Sequence, residues 1–284
     1  MDNSNIKFAF FGTPEIASKT LNILKNKGYI PEIIITSPDT RSGRGLEMKE
    51  TPVAIWAKEN NIRCFKPEKI TDEFIQQLSN FDFQLSVVVA YGKILPEILI
   101  KKPSLGTINI HYSLLPKWRG ASPLEASLLN GDEETGISIQ QMEYKLDSGP
   151  ILAEEKIEIS INDTKEEIKN ELINLGANCL CDILPKIKNR EINPKIQDES
   201  KATFCKKIKK EHGEIDLNGD QLQIWNKYRA FYGWPGVFFF AEKKGKKIRI
   251  KIKEAKYRNN SFIIKRVIPE GKNEMSYDEF LRWN

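Results

Sequence analysis

The sequence predicts an α/β protein: a mostly parallel sheet with its helices first, then a smaller basic module of antiparallel strands. Three observations carry this. Between residues 6 and 111, short wholly apolar runs alternate with amphipathic segments, the pattern of βαβ units whose strands are covered on both faces. Past residue 236 the pattern changes to apolar and polar residues in alternation, as in half-buried strands. Charge divides the same way: residues 1–204 carry 25 Lys+Arg against 29 Asp+Glu, whereas residues 205–284 carry 19 against 10, a net +9.

Taken in order, "IKFAFFG" reads as a buried strand ending at Gly12, and "TPEIASKTLNILKNKG" as a helix with Thr13 as cap, Pro14 in its first position and Gly28 as stop. "EIIIT" is the second strand, which closes a right-handed βαβ unit. The segment "PDTRSGRGLEMKE" is too polar and glycine-rich for regular structure and reads as a projecting loop. Then follow a helix in "TPVAIWAKENN", a short strand in "IRCFKP", a helix in "TDEFIQQLSNF", and the strands "FQLSVVVAYG" and "GTINIH". "PLEASLLNG" is a short helix, "TGISIQQM" and "ILAEEKIEI" are half-buried strands, and residues 163–190 form a long amphipathic helix capped by Asp163 or Thr164. The tail has a helix in "NGDQLQIWNKYRAF" and strands in "GVFFFAE", "KKIRIKIKEAKY" and "SFIIKRVI", which fit a small β-barrel or a twisted sheet. The resulting division is 1–190, a linker at 191–206, and 207–284.

Composition excludes several classes. With 40% hydrophobic and 29% charged residues the chain has the makeup of a folded globular protein. No apolar run approaches membrane-spanning length, and the first residues lack the features of a signal peptide, so a cytoplasmic protein with reduced thiols is expected. The four cysteines, 64, 179, 181 and 205, have no CxxC spacing, so no metal site is expected. "FFGTPE" holds one glycine of the three in a dinucleotide fingerprint, which disfavours nucleotide binding there. The basic tail suits a polyanion, with phosphates as the obvious partner, although a lysine-rich solvated surface would look the same.

The chemistry concentrates in "NIHYSLLPKWRGASP", residues 109–123. Asn109 and His111 are two apart on a strand and share a face, about 6–7 Å from one another along it. An imidazole relays protons near neutral pH, and an amide donates to an oxygen on which negative charge develops. In "KLDSGPI", Asp147 occupies a glycine-containing turn from which a carboxylate can reach an imidazole. Amide, imidazole and carboxylate together suit acyl transfer to an amine. The same residues would also serve as a satisfied core histidine and an ordinary turn aspartate.

"NIHYSLLPKWRGASP" followed by "DSG" resembles the signature of the folate-dependent formyltransferases. "FFGTPEIASKTL", "TSPDTRSGRG", "VVVAYGKILP", "TGISIQQM" and "RAFYGWPG" extend the likeness along nearly the whole chain, most closely to members that formylate initiator methionyl-tRNA. The resemblance implies a Rossmann-like formyltransferase domain over 1–190 and a tRNA-binding, OB-like but shortened barrel over 207–284. It implies formyl transfer from 10-formyltetrahydrofolate, as cosubstrate, to the α-amine of methionine on initiator methionyl-tRNA; a monomer is the default expectation. Asn109, His111 and Asp147 fall on catalytic positions; which group removes the amine proton stays open. Ser113, Leu114, Leu115 and Pro116 fall on a folate-contacting segment, and the backbone of Val88, Val89, Ala90, Tyr91 and Gly92, with Ile94 nearby, on the folate-ring pocket. Arg44 matches an arginine that contacts the acceptor stem. Arg41, Lys206, Lys207, Lys209 and Lys210 complete the expected tRNA surface. A sugar-nucleotide N-formyltransferase and a non-catalytic RNA-binding protein on the same scaffold are the alternatives. Three features depart from the family: Leu46 and Glu47 follow "GRG" where basic residues are usual, Tyr112 replaces a small residue and would reshape the site's edge, and the C-terminal module is short.

Overall fold

The structure is a computed structural model and describes residues 6–42, 47–243 and 245–283. Strand β1 (Phe8–Gly12) leads into helix α1 (Glu15–Asn26) and strand β2 (Ile33–Ile35). Thr13 does not cap α1: Pro14 holds the N-cap position, and the Thr13 hydroxyl donates instead to the carbonyl of Tyr91 at 3.0 Å. The polar segment after β2 is more regular than its composition implies, because β3 (Thr40–Ser42) pairs antiparallel with β4 (Glu47–Lys49). Arg44 lies outside the described residues.

Helix α2 (Pro52–Glu59) starts at Thr51, whose side chain accepts from the Ala54 N–H. Strand β5 (Arg63–Phe65), helix α3 (Asp72–Gln77) and strand β6 (Leu85–Val89) follow. A five-residue helix α4 (Glu97–Lys101), which the sequence does not predict, precedes β7 (Thr107–His111). Beyond the two-residue strand β8 (Arg119–Gly120) come α5 (Pro123–Asn130), β9 (Glu134–Gln141), β10 (Ile151–Glu158) and the 24-residue α6 (Lys165–Lys188). The strand order is β10-β9-β7-β6-β1-β2-β5, parallel from β7 to β5, with β9 antiparallel to β7. Every residue of β1 and of β6 is buried, Ser86 of β6 included, as expected of strands covered by helices on both faces.

The rest of the chain holds a two-residue strand β11 (Phe204–Cys205), helix α7 (Gln221–Ala230) capped by Asp220, strands β12 (Phe238–Lys243), β13 (Lys246–Arg258), β14 (Ser261–Pro269) and β15 (Met275–Ser276), and helix α8 (Tyr277–Arg282). β12 to β15 form an antiparallel sheet in chain order. Of the barrel and sheet forms that the alternation allows, this ladder is the open sheet. An aromatic cluster, with Trp225 stacked on Tyr228 and Tyr257, joins α7 to it.

By contacts the chain forms two compact units, and they interleave rather than follow the 1–190, 191–206, 207–284 division. Unit 1 comprises 1–120, 136–156 and 170–204; unit 2 comprises 121–135, 157–169 and 205–284. Within unit 2, α5 packs on α7, and Gly131, left-handed at φ +74, leaves room for the Asn226 amide, which would lie 2.8 Å from an added Cβ.

Candidate active site

The direction of the sheet reverses between β1 and β6, since the chain runs from β1 to β2 and β5 on one side and resumes at β6 and β7 on the other. A crevice opens at the carboxyl ends of strands at such a switch point. Gly12 sits there in register with Val89, and a Cβ on it would lie 2.7 Å from Ala17 and 3.0 Å from the Val89 carbonyl. Past β6, Ala90 (φ +48) and Gly92 (φ +80) turn the chain in left-handed conformations. Val88, Val89 and Tyr91 point into the core, where the Tyr91 ring meets Phe11 edge-on at 5.6 Å and burial pushes its hydroxyl up to about 12. This strand end therefore offers a ligand its backbone, with exposed Ala90 and Gly92 and the 85%-exposed Ile94, and not its larger side chains.

On β7, Asn109 and His111 share one face, as the period of a strand requires. The antiparallel ladder sets Gln140 opposite Asn109 and Ser138 opposite His111, which makes a four-residue polar patch. Ile110 lies on the reverse face under α6, where Gly176 lets the helix approach its Cγ2.

His111 is 5% exposed. Its Nε2 lies 2.9 Å from the Trp118 carbonyl oxygen, an atom that can only accept. The proton of a neutral imidazole is therefore on Nε2, and Nδ1 keeps its lone pair. Nδ1 faces Asp147 Oδ1 at 3.8 Å. Two acceptors confront each other, an arrangement completed by one proton. Asp147, left-handed at φ +47, is held by three groups: the Gly120 N–H donates to Oδ2 (2.8 Å), the Gln140 amide to Oδ1 (2.9 Å) and the Gln197 amide to its carbonyl (2.9 Å). Asn109 is half-buried, and no hydrogen bond to another described residue engages its side chain.

Gln140, Arg119 and Gln197 are the residues that sequence reasoning missed. Arg119 is 0% exposed and sends Nε (3.1 Å) and Nη2 (2.7 Å) to Gln197 Oε1. With its oxygen so held, Gln197 aims its amide nitrogen at the carbonyls of Asp147 and Gly149. Arg119 Nη2 also meets Glu199 Oε1 at 2.7 Å, and Lys145 meets Oε2 at 2.7 Å; the two bonds hold the Glu199 carboxyl down at about 2. No local motif marks such a clamp, because Arg119 and Gln197 lie far apart in sequence. In the same turn Gly149 has no space for a side chain, as a Cβ would stand 1.7 Å from the Gln141 carbonyl. Gly149→Ala is expected to destabilise the protein by about 1–3 kcal/mol and to lower activity with it, as thermal unfolding and kcat measured on one preparation will show.

The segment 113–116 is pinned by its backbone: buried Ser138 donates to the Ser113 carbonyl (2.8 Å) and accepts from the Leu115 N–H (2.9 Å). Ser113 and Leu115 are buried, while Leu114 and Pro116 are half-buried. Tyr112 does not shape the site's edge as its bulk suggests; it is buried near Thr20 of α1, and desolvation raises its hydroxyl. Burial likewise pushes the thiols of Cys64, Cys179 and Cys181 up to about 11, which leaves them protonated near neutrality. Arg41 is exposed on β3, and Lys206, Lys207, Lys209 and Lys210 are exposed in unit 2.

Comparison with known proteins agrees with this architecture. Residues 5–184 match the profile of the formyl transferase family, and residues 207–263 match that of the formyl transferase C-terminal domain. A methionyl-tRNA formyltransferase of Nitrosomonas eutropha is 39% identical over 82% of this chain and 74% of its own. Another, from Caldanaerobacter subterraneus subsp. tengcongensis, is 38% identical over 86% and 79%. Among solved structures, a methionyl-tRNA formyltransferase from Clostridium thermocellum has a TM-score of 0.61 at 19% identity, covering 93% of this chain and 99% of its own. An N-formyltransferase from Helicobacter canadensis, in complex with folinic acid and dTDP-3-aminofucose, has a TM-score of 0.64 at 19% identity, covering 92% and 95%. At that identity the two structures speak for the fold alone. The profiles and the two sequence relatives carry the assignment further: the chain belongs to the formyl transferase family.

Proposed function

We propose that the protein transfers a formyl group from 10-formyltetrahydrofolate to the α-amine of methionine on initiator methionyl-tRNA. The observation that carries the reading is the fixed His111 tautomer, with a basic Nδ1 turned to a carboxylate and a free amide two residues away. The bound folate supplies an activated formyl carbonyl. The backbone of residues 88–92, with Ile94 nearby, and the segment 113–116 would hold the folate. Asn109 donates to the carbonyl oxygen as negative charge develops there. As the amine nitrogen bonds to the formyl carbon, His111 Nδ1 takes the proton that the amine sheds and Asp147 stabilises the imidazolium so formed; the bond from the formyl carbon to the folate N10 then breaks, and the same proton goes to N10 as tetrahydrofolate leaves.

Methionyl-tRNA as acceptor is supported by the relatives with that name at 38–39% identity and by the surplus of cations after residue 204. Arg44, Arg41 and Lys206, Lys207, Lys209 and Lys210 are the proposed tRNA contacts. The protein is proposed to act as a cytoplasmic monomer; among the described residues no helix is long and apolar enough to cross a membrane.

The test supplies 10-formyltetrahydrofolate with methionyl initiator tRNA and, separately, with a dTDP-amino sugar. Formyl transfer to the tRNA alone is the expected result, and transfer to the sugar alone would replace the proposed acceptor. In the same assay Asn109→Ala is expected to lower kcat by about 10²–10³-fold with KM for folate little changed, as for loss of a principal oxyanion donor.

A further inference from the structure

Unit 2 carries a groove of about 400 Å³ lined by Lys210, Trp234, Arg249, Lys251, Ile268 and Glu270, among others. Its charges are unusual in what they lack. Arg249 is half-buried with its guanidinium 3.6 Å from the centre of the Phe238 ring. Its Nε is sealed from solvent without a hydrogen-bond acceptor, and among the described residues no acceptor engages any other atom of the guanidinium. A half-buried cation without an acceptor is costly to the folded chain, and such exceptions call for a physical reason. Lys210 and Lys251 likewise form no ion pair with a described residue. The one acid of the lining, Glu270, points its carboxylate to the Arg249 backbone N–H at 3.4 Å, not to the guanidinium. Three cations thus line one groove with no ion pair to a described residue, and phosphate is the anion whose geometry suits a planar guanidinium beside ammonium groups.

The fourth wall decides what the phosphate belongs to. Trp234 is 51% exposed beside the three cations, and its backbone is anchored by Lys165, whose Nζ donates to the Trp234 carbonyl at 2.7 Å. An exposed indole next to unpaired cations is the pairing by which proteins hold a base and its backbone together. Only a base that is not stacked within a duplex can present its face to that ring. We infer that this groove binds one unpaired nucleotide of an RNA strand, the base on Trp234 and the phosphate between Arg249, Lys251 and Lys210. The inference rests on RNA as the substrate, and to Lys210, already among the proposed tRNA contacts, it adds Trp234, Arg249 and Lys251 as a site for a single unpaired nucleotide.

The probes are a short fluorescein-labelled oligoadenylate and the same strand annealed to oligouridylate, titrated into the full chain. Trp234→Ala is expected to weaken the single strand by about 5-fold or more, Trp234→Phe to restore most of that loss, and neither to change duplex affinity. Arg249→Gln and Lys251→Gln are each expected to reduce the slope of log K against log salt by about 0.7. Equal losses on strand and duplex would reduce the groove to a general phosphate surface and overturn the proposal, as would unchanged single-strand affinity in Trp234→Ala. Formylation of methionyl-tRNA by the wild type is measured in parallel. If the wild type formylates and the variants keep its KM and its single-strand affinity, the groove proposal falls while the substrate stands. If the wild type does not formylate, the substrate reading falls and the oligonucleotide result still decides the groove.

Discussion

Replacing His111 with alanine is expected to lower kcat for formyl transfer by about 10²–10⁴-fold, the contribution of a well-placed general base. The geometry directs the loss to kcat. The imidazole is almost wholly buried, its Nε2 is committed to the Trp118 carbonyl, and only Nδ1 is left for chemistry. A purely structural histidine would, when removed, raise folate KM and lower thermal stability together. Loss of a base leaves both nearly unchanged and makes the residual rate rise with pH, because the amine must then lose its proton to solvent. Asp147→Asn separates the carboxylate's role. It keeps an oxygen for the Gly120 N–H but cannot stabilise an imidazolium at Nδ1, so a substantial loss in kcat is again expected. More than about a tenth of wild-type kcat in His111→Ala would remove the imidazole from the proton's path, since even the low end of the range is larger.

Arg119→Ala is expected to cost about 3 kcal/mol or more in stability, and activity in addition. Two contributions add. The Gln197 oxygen, which takes both guanidinium bonds, is left buried and unpaired at about 1–3 kcal/mol, and the vacated volume adds about 2–5 kcal/mol if the site does not collapse. In a protein of this size that lowers the melting temperature by roughly 6–12 °C. The loss then propagates: without a fixed oxygen, Gln197 has no reason to aim its nitrogen at the Asp147 and Gly149 carbonyls, so the carboxylate facing His111 loosens. Arg119→Lys is expected to recover only part, since an ammonium cannot send two parallel bonds to one acceptor from a fixed plane. Glu199→Gln is the control. Its amide keeps an oxygen for Arg119 Nη2, so the buried guanidinium retains that acceptor and the melting temperature is expected to fall much less than in Arg119→Ala. A melting temperature in Arg119→Ala within about 2 °C of wild type, equivalent to 1 kcal/mol or less, would show that the clamp carries no stability.

What could be read from the sequence was what is local. β1 and β6 are strongly apolar runs, and Thr51 before Pro52 marks a helix start without help from the rest of the fold. Asn109 and His111 were legible together because a strand has period two, and Asp147 because a turn before glycine is a local feature. Gln140 was not, since its place opposite Asn109 depends on the register of two strands that the sequence does not align. Arg119 and Gln197 escaped for the same reason on a larger scale: their contact exists only once the chain has returned to the sheet after α6. The β3–β4 pair was missed because three-residue strands are too short to show alternation, and Thr13 because a cap-like residue was used to tie β1 to the end of β6.

The interleaving of the two units sets a timetable for the growing chain. Helix α5 is complete at Asn130, but α7, against which it packs, begins only at Gln221. At synthesis rates of about 5–20 residues per second, the roughly 90 residues between them take on the order of 5–20 s to emerge. For that interval the face of α5 that meets α7 has no final partner, although β1 to β7 are already outside the ribosome. Unit 1 waits as well, because Gln197 must arrive before Arg119 and the Asp147 turn can close on it. The Asp147 turn is thus among the last parts of its own unit to be finished. A stall or truncation between residues 159 and 196 would leave a nascent chain with its sheet strands made and the Asp147 turn without the Gln197 amide that holds its carbonyl.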